Sequence, residues 1–134
     1  MKSPKQRIID QICRKHRLAL ILLHGSTVSG LSHDKSDVDV AVLAKNPHQA
    51  IDRLKLINDL AAVFPADKID LTDLAHADPL LLKLVSGQVK LLAGKPKDLE
   101  KLKLTAFHRY QDYQPYFQRE QTAVKELLKN YDGV

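Results

Sequence analysis

His24-Gly25-Ser26 ends an apolar run, and ten residues separate Ser26 from Asp37-Val38-Asp39. A glycine and a serine where a buried strand gives way to a small-residue turn make a cradle for phosphate. Glycine admits backbone amides close to the anion, and Ser26, at the start of a short helix, adds an amide and a hydroxyl. Asp37 and Asp39 stand two apart in an alternating segment, so on a strand both carboxylates leave one face with Cα atoms about 7 Å apart. At an effective dielectric of about 20 they repel by roughly 2 kcal/mol, which a cation between them relieves. A few carboxylates beside substrate phosphates and water form a donor set that suits Mg²⁺. A third acid, Asp70, falls inside the apolar segment Ile69-Asp70-Leu71. There it is costly unless paired or metal-bound. Asp67 precedes that segment and Asp73 falls on its opposite face, so Asp70 is the preferred third carboxylate. Three carboxylates facing a phosphate cradle suit two-metal phosphoryl or nucleotidyl transfer.

The elements that must position these groups are marked by regular punctuation. Ser3-Pro4 reads as a cap followed by Pro at the first helical position, with Ile8, Ile9, Ile12 and Cys13 as the apolar face. The continuous run Leu18–Leu23 predicts a strand buried on both faces, stopping at Gly25. Val38, Val40 and Val42 alternate with Asp37, Asp39 and Ala41, the pattern of a two-faced strand. Asn46-Pro47 predicts the start of a helix carrying Ile51, Leu54, Ile57, Leu60, Ala61 and Phe64, which Pro65 ends. Strands are expected at 68–71 and 89–92, with a helix from Asp78-Pro79 to Gly87 between them. From about 97 to 131 the sequence favours helix, with Pro115 as a candidate break. The fold class is therefore α/β in the mixed α+β sense, a small mixed sheet flanked by helices.

With 134 residues, 44% hydrophobic and 28% charged, the chain has the size and balance of one globular domain over 1–134. No apolar run approaches the roughly 20 residues that span a bilayer, and the charged N-terminus leads into no signal segment. The lone Cys13 leaves no internal disulfide and no Cys-based zinc site. Together these features predict an intracellular, cytoplasmic protein. The net charge of +5 is unevenly spread. Residues 1–16 carry +4, residues 17–82 carry −3 with every acid an Asp, and residues 83–134 carry +4. A basic chain with an Asp-rich middle attracts phosphates overall and holds a cation locally.

Gly25-Ser26, Asp37-Val38-Asp39 and Asp70 resemble the GSx10DxD signature of the DNA polymerase beta-like nucleotidyltransferases. The short chain points within them to the minimal nucleotidyltransferases of the MNT antitoxin type. The resemblance covers about residues 18–92, and the helical region at about 97–131 fits by order alone. It implies the nucleotidyltransferase fold, Mg²⁺ (two ions), and ATP as the substrate from which AMP is transferred with release of pyrophosphate. Gly25 and Ser26 would hold the β- and γ-phosphates. Asp37 and Asp39 would bind the metals, while Asp70 would complete the metal site and help deprotonate the acceptor. In relatives paired with a HEPN-type RNase toxin, the acceptor is a tyrosine hydroxyl of the toxin, so a hetero-oligomer with such a toxin is implied. A small-molecule acceptor, or neutralisation of the partner by binding alone, are the alternative functions. Membrane partners are not expected, nor is direct nucleic-acid binding. The chain departs from the family pattern at His24, where many relatives carry an aromatic, and at Ser29, where many carry an arginine before the second glycine.

Other residues read more plainly. His24 is a strand-end histidine packed on its neighbours, and His33 is a loop histidine. His48, His76 and His108 have no metal-ligand spacing, and Cys13 is a small buried apolar residue. Phe107, Tyr110, Tyr113, Tyr116 and Phe117 form a stripe that, beyond the sheet, suits docking to a partner. The basic residues between Lys83 and Lys103 read as solvated surface, with RNA or an acidic partner as the sharper alternative.

Overall fold

A computed structural model describes residues 2–25 and 37–132. Ser26, the turn that follows it and the short helix expected there lie outside the described residues. Helix α1 (Pro4–Lys15) opens as its sequence dictates: the Ser3 side chain accepts the Gln6 amide at 3.1 Å, and Pro4 takes the first turn, where no donor is lost. Strands β1 (Leu18–His24), β2 (Val38–Ala44), β3 (Ile69–Asp73) and β4 (Val89–Gly94) form one sheet in the order β3-β2-β1-β4. β1 runs antiparallel to both β2 and β4, while β2 and β3 are parallel. The sheet is therefore mixed. Helices α2 (Arg53–Leu60), α3 (Pro79–Gly87) and α4 (Pro96–Asp132), with short 3₁₀ turns at Ala66–Lys68 and Leu74–His76, complete the described elements.

The apolar run of β1 is central in the sheet, and its side chains feed two cores. On one face Ile21 and Leu23 pack with Val40, Val42, Leu71 and the inward side chains of α1 and α2. On the other, Leu20 and Leu22 meet Ala41, Leu82 and Val85 of α3, and Leu102 and Ala106 of α4. Fully burying such a side chain contributes about 1.5–3 kcal/mol, so β1 stabilises both layers. Among the described residues, no helix is long and apolar enough to cross a membrane.

Three element boundaries differ from those the sequence predicts. The second helix begins at Arg53, not at Asn46-Pro47. The Asn46 side chain accepts the His48 amide at 3.0 Å and its carbonyl accepts the Gln49 amide at 2.9 Å, closing a turn instead. Asp52 is the real cap, its side chain accepting the Lys55 amide at 3.2 Å. The inward stripe of α2 accordingly runs through Leu56 and Leu60, and Leu54 is 83% exposed. The helix ends at Leu60 because the Ala62 and Val63 amides tighten onto carbonyls three residues back. Conversely, α4 runs unbroken through Pro115. Pro115 and Gln111, whose carbonyl loses its helical donor, are both exposed, so solvent satisfies that group.

Candidate active site

The register of the sheet brings the candidate residues to one end and one face. β2 places Val38 and Val40 against the α1/α2 core, so Asp39, and Asp37 just ahead of the strand, point toward the α3/α4 side. In the parallel β2–β3 ladder Asp39 is the direct partner of Asp70. Leu71 enters the α1/α2 core, which turns Asp70 to the same side as Asp39. The last β1–β2 ladder pair is Leu23 with Val40, and one step further His24 stands opposite Asp39. Asp70, Asp39 and His24 thus form a row across three adjacent strands. Asp73 and Asp67 are employed elsewhere: Asp73 caps the following turn, accepting the Ala75 amide at 3.1 Å, and Asp67 lies in the turn before β3.

Gly25 closes the row from β1. Its φ is +69°, in the left-handed region that favours glycine. A Cβ built there would lie 2.7 Å from Asp39 Oδ2. Backbone and carboxylate therefore approach so closely that no larger residue fits without displacing Asp39.

The electrostatics follow from this crowding. Burial pushes the Asp39 carboxyl above its ordinary value, against a downward pull from His24, and Asp70 and Asp37 push it further up. Burial likewise pushes the His24 imidazole below its ordinary value, with Asp39 and Asp70 opposing. His24 Nε2 is buried with no hydrogen-bond partner among the described residues. Asp70 differs from the expectation of an acid enclosed in an apolar strand: β3 is the edge strand, and Asp70 is solvent-exposed there. Its presence in the row needs no buried partner.

These aspartates are hard oxygen donors suited to a divalent cation, which would offset both the burial of the Asp39 charge and the smaller repulsion from Asp70 and Asp37. Among the described residues, no three acidic, histidine or cysteine side chains gather closely enough to enclose an ion by themselves. Such a cation takes its remaining ligands from substrate phosphates and water. His24 is the neighbour that spacing alone did not assign to the row; its one sequence signal is its place directly before Gly25.

A family model for polymerase beta nucleotidyltransferases matches residues 6–98, from within α1 to the first turn of α4. The chain belongs to that family. Protein adenylyltransferase MntA of Shewanella oneidensis is 34% identical to this nucleotidyltransferase over 114 residues, 85% of this chain and 79% of that protein. A chain in the crystal structure of a toxin–antitoxin with AMP-PNP superposes with a TM-score of 0.69 at 32% identity, covering 92% of this chain and 98% of that one. A chain in the complex of tri-AMPylated Shewanella oneidensis HEPN toxin with MNT antitoxin superposes with a TM-score of 0.63 at 30% identity, covering 93% and 96%.

Proposed function

We propose that this chain is a magnesium-dependent adenylyltransferase that acts as an antitoxin, moving AMP from ATP onto a tyrosine hydroxyl of a HEPN-type RNase toxin. The observation that carries this is the pairing of Asp39 with Asp70 across β2 and β3, with the backbone of Gly25 pressed against Asp39. The likeness to an adenylyltransferase and to chains from toxin–antitoxin complexes supplies the acceptor class.

Each residue has a definite part. Gly25 and Ser26 hold the β- and γ-phosphates, Gly25 from its place beside the carboxylate row. Asp37, Asp39 and Asp70 hold Mg²⁺, which when bound neutralises charge on the triphosphate and on the oxygen that attacks it. A carboxylate oxygen of Asp70 takes the proton from the acceptor hydroxyl. The acceptor's hydroxyl oxygen, freed of its proton, then bonds to the α-phosphorus while the bond to the bridging oxygen of the β-phosphate breaks, and pyrophosphate leaves. The exposed edge position of Asp70 gives a bulky protein acceptor room to reach the row.

The outer part of α4 suits such a partner. Residues 118–130 are exposed throughout, and Val124, Leu127 and Leu128 present apolar surface there with no described contact to the sheet. Phe107 and Tyr116 of the aromatic stripe are exposed as well, whereas Tyr110 is half-buried beneath the Lys83 ammonium, 3.6 Å from its ring. ATP and an RNase target place this activity in the cytoplasm. The test is to incubate the purified chain and toxin with ATP labelled at either the α- or the γ-phosphorus. Label on a toxin tyrosine from α-labelled ATP alone is expected. Label from γ-labelled ATP, or from neither, would overturn the assignment.

A further inference from the structure

We propose that the cleft at the sheet end away from Gly25 is a second anion site, which takes the phosphates of a nucleotide or of a short stretch of RNA. The cleft has a volume of about 990 Å³ and lies where β1 begins and β2 and β4 finish. It is separated from His24 by the length of β1, about 20 Å. Arg14, Lys45, Lys95, Lys101 and Arg109 line it. They come from positions spread over most of the sequence, so only folding assembles them: the end of α1, the end of β2, the β4–α4 junction and two turns of α4.

None of these five cations forms a salt bridge among the described residues. Lys2, which also lines the cleft, is already paired with Asp10 at 2.6 Å, leaving Asp98 as the other acid of the lining. All five side chains are exposed, so the core does not require their charge. Arg14 and Lys45 both act on the thiol of Cys13 at the cleft wall, opposing the upward push of its burial. Both residues line the cleft together with Cys13, one from the end of α1 and the other from the end of β2. On the α4 side Lys101, Thr105 and Arg109 recur every fourth residue, a cationic edge with a hydroxyl in its middle about 12 Å long.

The shape favours phosphates over an acidic protein surface. The volume falls within the range of small-ligand clefts, about 300–1,000 Å³. A protein partner needs a broad patch of roughly 800 Å² a side instead. Among the described residues the lining contains no aromatic side chain, so these offer bases no stacking platform and recognition rests on charge. Arginine forks and lysine ammonium groups supply that recognition for phosphate oxygens. The site is independent of the catalytic row, and its ligand needs no divalent cation.

The test is isothermal titration of the full chain in EDTA, which silences the cation-dependent row, with inorganic triphosphate, ATP and a dodecamer of oligouridylate as probes. Saturable one-to-one binding of at least one probe is expected. Lys45→Glu/Lys101→Glu should weaken it about ten-fold or more, while Lys125→Glu/Lys129→Glu, with the same charge change on outer α4, should shift it less than about two-fold. Arg14→Glu/Lys95→Glu repeats the test on other walls of the cleft, with thermal melts confirming that each variant is folded. Tighter binding of triphosphate and ATP than of the dodecamer identifies a free nucleotide, and the reverse order identifies an RNA strand; either supports the site. No saturable binding up to about 1 mM, equal loss in the cleft and control variants, or stronger binding of an oligoglutamate peptide than of every phosphate probe would overturn it.

Discussion

At Gly25 a side chain would have to occupy space that Asp39 Oδ2 already holds, and the φ of +69° adds backbone strain for any other residue. Gly25→Ala is therefore expected to cost about 1–3 kcal/mol in denaturant unfolding and to lower AMP transfer by at least about ten-fold. Asp70 makes a different prediction because it is exposed at the sheet edge. Asp70→Asn should leave stability nearly unchanged and reduce kcat by about 10²–10⁴, with ATP binding, read by titration, much less affected. Spacing alone was enough to identify Gly25, Asp37 and Asp39 as candidates, because they lie in one local segment. The ladder partnership of Asp39 with Asp70, and the position of His24 opposite Asp39, depend on register between strands and on burial, which local spacing does not encode. The expectation that Asp70 is enclosed failed for the same reason: an apolar pair of neighbours, Ile69 and Leu71, does not reveal that β3 is an edge strand.

The four strands were legible within one or two residues at most ends, since continuous or alternating apolar runs bounded by Gly and Asp leave little choice. Helix α2 was not, because Asn-Pro satisfies a helix cap and a turn equally well, and the hydrogen bonds of Asn46 decide for the turn. The corrected helix makes a sharp contrast. Leu56→Ala removes a fully buried side chain and should cost about 2–5 kcal/mol, whereas Leu54→Ala, at a position 83% exposed, should stay within about 0.5 kcal/mol. Urea denaturation of the two variants reads the difference directly. Equal costs would contradict the inward stripe through Leu56 and Leu60.

Across the whole molecule, two helical layers sandwich the sheet, and α4 carries the chain beyond it. Ending the chain after Phe117 should change folding stability by less than about 1 kcal/mol, because residues 118–130 are exposed. The same truncation should weaken toxin binding by at least about ten-fold if outer α4 docks the partner. Acid stability is also a property of the assembled layers. Asp59 of α2 accepts a hydrogen bond from His16 at 2.7 Å and pairs with Lys15 at 3.0 Å, which holds its carboxyl below the ordinary 3.8. The native state then binds this proton less readily than the unfolded chain, so the contribution is present above the unfolded value and lost as pH falls through the folded one. Asp59→Asn should be less stable than wild type at about pH 6, with the gap closing below 3.8; a gap constant with pH would contradict the linkage. Charge distribution showed two basic regions flanking an Asp-rich middle, but residues so far apart could be joined into one cleft only by the fold.

The most direct test of the carboxylate row is the intact mass of the partner that copurifies with this chain, measured for wild type and for Asp37→Asn/Asp39→Asn. A partner heavier by whole AMP units with wild type alone is the predicted result. An unmodified partner held equally tightly by both proteins would contradict it and make neutralisation a matter of covering the toxin.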